Sequence, residues 1–503
     1  MRTERWVLLS TILGSSMVFI DGSVVGVALP VMQRELHASA AQAQWVVEGY
    51  LLVLGALMLL GGAIADRYGR RRIFLAGIVI FVAASMWCGA AGGILTAIAA
   101  RVAQGVGGML MAPASLAIIA ACFKGKERDR AVGIWSAFTA VTTLLSPVLG
   151  GALVTAFGWR AVFFLNAPIG ALTAFAAWRH VPESRDEEEQ TRRFPDVLGS
   201  TLIALALGAM VYALTAASEG GTATLTTSIV AFAGVALFAA FLFAERRTRD
   251  PIMPLGLFRS PVFSGVNLAT LLLYGGLSGL FYFFPFDLIQ AHGYSAARAG
   301  LAMLPFVIPL SAISRISARI LTRTGPRLLL AGGTAVVVAG FALFAVLPRE
   351  SYWSGVFPPV VLVGIGMGFV VAPLTTTVMN AVPQQHVGLA SGINNAVSRI
   401  GGLLAIAAAG AVLWIAFNTA LAPRLDAIHA TSQQRAQVER QRTRLAGGTY
   451  NDPRVRAAIT GAYDSAFNDV ALLCAALAAA ASVASYAMLG SASPRRASQP
   501  TSR

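Results

Sequence analysis

The sequence predicts an all-α integral membrane protein of 14 transmembrane helices, arranged as two six-helix halves plus two linker helices. Three observations predict it. Of the 503 residues, 56% are hydrophobic and 12% charged, with a mean hydropathy of +0.69, too little polar surface for a soluble chain of this length. Apolar runs of about 20 residues, the length that crosses a bilayer as helix, recur throughout. Backbone in hydrocarbon must satisfy its own hydrogen bonds, and the runs lack the alternation of an outer-membrane barrel, so they are helices.

The runs lie at residues 7–30, 45–65, 73–93, 97–121, 131–156, 160–179, 197–217, 225–244, 262–290, 298–320, 328–347, 355–380, 388–418 and 467–489. The start, MRTERWVLLSTILG, has the basic and apolar regions of a signal peptide. No small-residue cleavage site follows and Asp21 interrupts the run, so it is read as an uncleaved first span. Residues 1–180 form an N-terminal six-helix bundle. Residues 181–260 hold two linker helices with flanking inner loops, VPESRDEEEQTRRFPD and ERRTRDPIMPLGLF. Residues 261–503 form a C-terminal six-helix bundle with a long outer loop, 421–465, and a short basic cytoplasmic tail. A weak repeat supports the duplication: GAIADRYGRR (62–71) and ARILTRTGPR (318–327) both place Arg-x-Gly before a basic residue, at matching places in the halves.

A net charge of +15 invites a nucleic-acid reading, but its distribution argues for none. With the N-terminus cytoplasmic, the short outer loops hold only Arg34, Arg160, Arg298 and Arg349. The positive-inside rule therefore fixes that orientation, and an inner (plasma) membrane of bacterial type is expected. Residues 421–465 carry seven Arg on the outer side, where the rule weakens for long loops; 13 spans with that stretch inside is the alternative. Its run ATSQQRAQVERQRTRLAGG reads as a surface helix without chemistry. Cys88, Cys122 and Cys474 lack metal or CxxC spacing and read as packing residues. A monomer is expected.

Intramembrane charge is costly, about 2.5–3.5 kcal/mol at the bilayer centre, and marks function. Among the acids inside the predicted spans, Asp21, Glu48 and Asp287 are singled out, while Asp469 stands at the very start of the last run. Asp21 is the deepest, ~13 Å from the outer end of its helix, whereas Glu48 lies about one turn below the surface. That depth suggests a rim role for Glu48. Asp287 lies near the outer end of span nine, where a structural role is favoured. Gly14, Asp21 and Ala28 share one stripe, as do Glu48, Gly55 and Gly62, and such small-residue stripes face protein or a cavity more often than lipid. A carboxyl held out of water can alternate between a neutral and a paired, charged form, as a proton carrier must. Arg101 is the natural counter-charge for Asp21. Arg399, with Asn394 and Asn395 a turn earlier, reads equally as a snorkelling or packing residue.

Nothing points to an enzyme. The sequence has no GxxxxGK[ST] and no HExxH, and its five His (37, 180, 292, 386, 429) lack metal spacing. Neither cofactor nor metal is expected, and without an ATP site uphill transport must draw on an ion gradient. The 50 Gly, many inside helices, suit close and sliding helix contacts.

GGAIADRYGRRR strongly resembles the cytoplasmic signature of the major facilitator superfamily, through Gly62, Asp66, Arg67, Gly69, Arg70 and Arg71. Other pieces resemble the 14-span drug:proton antiporter family within it. FIDGSVVGVALP is similar to its first-helix motif, and RVAQGVGG to its fourth-helix motif through Arg101, Gln104 and Gly105. LLSPVLGG resembles the end of the antiporter motif GxxxGPxxGG through Pro147, Gly150 and Gly151, and GWRAVFFLNAPIG the connection that follows. Two departures stand out: Gly26 replaces a usual Asn, and Thr142 and Ser146 replace both leading Gly of the fifth-helix motif. An acid at position 48 is frequent in relatives resembling quaternary-ammonium and dye exporters. The resemblance implies efflux of small, lipophilic, cation-leaning substrates, coupled to protons through Asp21 and Glu48, with an inner charge lock at Asp66. Two alternatives stand beside it: a dedicated exporter of one metabolite, such as an antibiotic, siderophore or lipid precursor, and a membrane sensor or scaffold.

Overall fold

The computed structural model describes residues 2–185, 196–220, 224–248, 251, 253–383 and 386–489. The acidic run after the sixth span and the basic tail lie outside them. Among the described residues, 13 helices are long and apolar enough to cross a membrane, or 14 counting one bent pair as a span. In order they are α1 (Arg2–Glu35), α2 (Ala40–Ala56), α3 (Met58–Tyr68), α4 (Arg70–Gly89), α5 (Ile94–Cys122), α6 (Gly125–Phe157), α7 (Arg160–Phe164) and α8 (Asn166–His180). There follow α9 (Val197–Gly220), α10 (Leu225–Arg247), α11 (Pro261–Phe286), α12 (Ala296–Ala302), α13 (Leu304–Val346), α14 (Phe357–Asn380), α15 (Val387–Ala427), α16 (Ser432–Gln441) and α17 (Pro453–Met488).

Several expected spans change shape. The run 45–65 is not one straight helix: α2 and α3 meet at 51° around Leu57. The run 160–179 holds as one span, α7 and α8 joined at Leu165, whose backbone is itself helical. Hydropathy ends the thirteenth run too early and starts the fourteenth too late. α15 has 41 residues and α17 has 36, about 60 and 54 Å of helix at 1.5 Å per residue, well beyond a ~30 Å hydrocarbon core. They continue as amphipathic helices into the stretch read as the 421–465 loop. The surface helix expected there is α16, started by a capping box on Thr431.

The two repeat copies share a local device. Gly69 has φ 113° and Gly325 has φ 76°, a region that favours glycine, so each copy turns the chain between two helical segments.

By packing, the chain divides into two compact units. The first comprises Met1–Met253, Ser278–Leu304 and Leu403–Val470, the second Pro254–Leu277, Pro305–Gly402 and Ala471–Arg503. The first has an apolar core around Phe74, Ile78, Phe81, Met111 and Ile118, where α4 packs on α5. In the second, Asn394 donates to Asn267 Oδ1 at 3.1 Å and to Thr270 Oγ1 at 2.8 Å, a polar tie between α15 and α11.

Candidate functional site

Asp21 is 1% exposed at the middle of α1 and lies at the centre of a sealed polar network. Arg101 of α5, equally buried, donates from a terminal guanidinium nitrogen to Asp21 Oδ2. The other oxygen, Oδ1, accepts from Gln104 Nε2 at 2.8 Å and Asn166 Nδ2 at 3.3 Å. Arg101 also donates to Gln104 Oε1 at 2.8 Å and, from Nε, to the Val46 carbonyl at 3.0 Å. Its guanidinium lies 4.1 Å from the Tyr50 ring centroid, and Tyr50 donates to the Val18 carbonyl at 3.1 Å. Asn166 is held by Ser85 Oγ at 3.0 Å, and Ser85 donates to the Phe163 carbonyl at 2.8 Å. A buried ion pair is tolerable only when further hydrogen bonds satisfy both partners, and here both carboxylate oxygens and three guanidinium bonds are accounted for.

The predicted trio Asp21, Arg101 and Gln104 is therefore brought together. Asn166, Ser85 and Tyr50 were not singled out. Asn166 carried a signal, being the one amide in an otherwise apolar run, VFFLNAPIG.

The faces of α1 account for Gly26. The stripe Gly14, Asp21, Ala28 faces protein: a Cβ on Gly14 would lie 2.5 Å from the Phe74 ring, and Ala28 is fully buried. At Gly22 and Gly26 a Cβ would meet nothing within 4 Å. These glycines lie one turn apart on an open face, away from the carboxylate, while Asn166 supplies an amide to Asp21 from α8.

Glu48 corrects the rim expectation. It is fully buried, not solvated. Gln44, one turn earlier, donates to Glu48 Oε1 at 2.8 Å and to the Ile406 carbonyl of α15 at 3.1 Å. Glu48 Oε2 and the Tyr282 hydroxyl are both buried without a hydrogen-bond partner, and the two groups are close enough to interact electrostatically. No cationic side chain among the described residues forms an ion pair with Glu48. Counting turns measured distance along α2, not the cover that α11 and α15 lay over it.

At the 62–71 loop, Asp66 accepts from Arg70 Nε at 2.6 Å, a pair one turn apart. Glu183, beyond α8, takes the rest of the cluster: its Oε1 accepts from the Arg71 backbone N–H at 3.0 Å, and its Oε2 lies 3.7 Å from Arg71 Nε and 3.8 Å from Arg72 Nε. Arg67 lies 6.0 Å from the Tyr68 ring centroid. Gly62 faces Pro113 of α5 at ordinary contact distance. The charge cluster thus joins the loop to the end of α8 through Glu183, a residue the motif did not include.

The fifth-helix motif lies where α6 meets α1 and α12. A Cβ on Gly150 would lie 2.8 Å from Val24 Cγ1, and one on Gly151 would lie 2.3 Å from the Ala296 carbonyl oxygen, so neither position has room for a larger residue. Gly105 likewise packs α5 against α2 at the Tyr50 carbonyl. Thr142 and Ser146, in the places of the missing glycines, bond back to their own helix: Thr142 to Phe138 at 2.9 Å and Ser146 to Thr142 at 2.5 Å. Thr142 Oγ1 also reaches Ser16 of α1 at 3.2 Å. Hydroxyls bonded in this way bend helices, as the lost glycines would have allowed. Asp287 belongs to a different group, with His292 and Asp464.

Helices of bilayer length around a sealed carboxylate–guanidinium pair define a polytopic membrane transporter. The chain belongs to the Major Facilitator Superfamily, whose model matches residues 11–406. It is 34% identical to the multidrug resistance protein Stp of Mycobacterium tuberculosis over 84% of this chain and 79% of that protein. It is 36% identical to the puromycin resistance protein pur8 of Streptomyces alboniger, over 80% of this chain and 81% of the relative. Against the tetracenomycin C resistance and export protein of Streptomyces glaucescens it is 33% identical, over 82% and 77%. The fold matches the inward-facing, unoccupied crystal structure of a bacterial homolog of the human lysosomal transporter Spinster, with TM-score 0.67 and 18% identity over 97% of this chain and 98% of that one.

Proposed function

We propose that the chain exports hydrophobic compounds, cations among them, from a bacterial cell, driven by the proton gradient across the plasma membrane. The N-terminus is cytoplasmic, each monomer is a complete carrier, and the two halves alternate access. The observation that carries this reading is the Asp21 carboxylate, removed from water and satisfied only while charged. A proton delivered to Asp21 neutralises it, breaks its ion pair and leaves Arg101 buried without its counter-charge, a cost that favours rearrangement. Loss of the proton restores the network. The charge cluster of Asp66, Arg70, Arg71 and Glu183 is a second set of bonds, tying the turn between the second and third spans to the end of the sixth.

The test is efflux of a fluorescent cationic dye from proteoliposomes carrying an inward-directed or collapsed proton gradient. Asp21→Asn keeps an amide that can hydrogen-bond but holds no exchangeable proton. Gradient-driven efflux is expected to fall at least about tenfold, while dye-for-dye exchange, which moves no net proton, persists. Undiminished uphill efflux by the well-inserted variant refutes the role of Asp21.

A second reading, one dedicated antibiotic, is favoured by relatives named for single compounds, puromycin and tetracenomycin C. Resistance of a sensitive host to a panel of cationic and neutral compounds separates the two: a single protected compound selects the dedicated exporter.

A further inference from the structure

A second group of ligand-type side chains converges in the first unit, apart from the Asp21 network. After α11 the backbone widens into a π-turn, Asp287–Ala291, which buries Asp287 completely. His292 follows it, and Asp464 projects from α17. One ligand atom of each of the three lies within 4.8 Å of the other two. The separations are too long for hydrogen bonds: His292 Nε2 is 3.6 Å from Asp464 Oδ1, and His292 Nδ1 is 3.8 Å from Asp287 Oδ2. Donor atoms around a tetrahedral ion at about 2.1 Å stand about 3.4 Å apart, so a contraction of up to about 1.4 Å closes the three, now within 4.8 Å of one another, on one ion.

The ring is oriented for that task. His292 Nδ1 lies 3.1 Å from the carbonyl oxygen of Asp287. With its proton on Nδ1 the ring donates there, the arrangement that fixes metal-ligating histidines, and Nε2 presents its lone pair on the Asp464 side. The Asp464 side chain is 34% exposed, which gives an ion an entry path and leaves room for water ligands.

We propose that Asp287, His292 and Asp464 form a divalent transition-metal site. One imidazole and two carboxylates suit Zn2+, Mn2+ or Co2+; Ca2+ and Mg2+ favour all-oxygen sites, and Cu+ favours sulfur. A bound ion ties the π-turn to α17 and neutralises the buried Asp287. The proposal is independent of what the protein exports, because binding is measured without transport.

The experiment uses the full-length protein in detergent, stripped with chelator and freed of any histidine tag, titrated calorimetrically with ZnCl2 at pH 7.5. One Zn2+ per chain is expected, with an affinity weakened about tenfold or more in both His292→Gln and Asp464→Asn. His37→Asn, at a histidine away from the group, should bind as the native protein does. Because a variant that loses its fold also loses binding, the native protein is also loaded with Co2+, whose visible absorption should appear at one equivalent and vanish on adding Zn2+. Equal Zn2+ affinity in the native protein and in folded His292→Gln or Asp464→Asn, or no saturable binding to the native protein, overturns the site.

Discussion

Asp21 and Glu48 are both buried carboxylates, yet their surroundings differ in kind. Asp21 meets a guanidinium and two amides, whereas Glu48 meets one amide, from Gln44, and a phenol. A carboxylate without a cationic neighbour is costly to hold in its charged form unless a cation arrives, whether a proton or a positively charged substrate. Glu48→Gln removes the charge and keeps the shape. We expect resistance to cationic compounds to fall about tenfold while resistance to neutral ones stays within about twofold; equal losses would remove Glu48 from cation recognition. At this scale the sequence was informative where a motif spans one helix, as with Arg101 and Gln104. It was silent where the partner comes from elsewhere: Asn166 lies 145 residues from Asp21, and the cover over Glu48 comes through Gln44 from α15, 362 residues away. The metal-site candidates show the same limit, because no spacing rule joins Asp287 and His292 to Asp464.

The same contrast holds for elements. Hydropathy located the spans because burial in lipid is written in composition, residue by residue. It did not show the bend at Leu57 or the extensions of α15 and α17, which arise from contacts and from amphipathic continuation beyond the apolar run. α6 offers an internal comparison. At Gly151 an added Cβ would meet the Ala296 carbonyl at 2.3 Å, whereas at Gly133 of the same helix it would meet nothing within 4 Å. Backbone cannot yield as a side-chain tip does, so Gly151→Ala must push α6 and α12 apart, at about 1–3 kcal/mol for an overpacked contact. Drug efflux in cells should drop about tenfold for Gly151→Ala at unchanged membrane abundance. Gly133→Ala should keep full efflux and, as a helix interior gaining alanine, lose no stability. Equal activity of the two variants would show that the close approach of α6 and α12 has no part in the transport cycle.

For the whole molecule, the number of crossings and the side on which each loop lies are one question. The sequence gives two answers, 14 spans with residues 421–465 outside or 13 with them inside, because seven Arg in that stretch oppose the positive-inside rule. Counting the bent pair α2–α3 as one span gives fourteen, and three of the seven arginines of the stretch are engaged locally: Arg435 with Asp426 at 2.6 Å, Arg442 with Asn418 at 2.5 Å, and Arg424 with Ser465 at 2.9 Å. Charge bound in this way marks a folded surface cap, and long loops cross largely regardless of charge. With Cys88, Cys122 and Cys474 replaced by alanine, single cysteines at half-buried Gln437 and exposed Thr322 report the two sides. A membrane-impermeant maleimide added to intact cells should label Gln437→Cys, while Thr322→Cys, in the second repeat copy, should react only after permeabilisation. Labelling of Thr322→Cys in intact cells would reverse the orientation, and protection of Gln437→Cys until permeabilisation would require an even number of crossings before it.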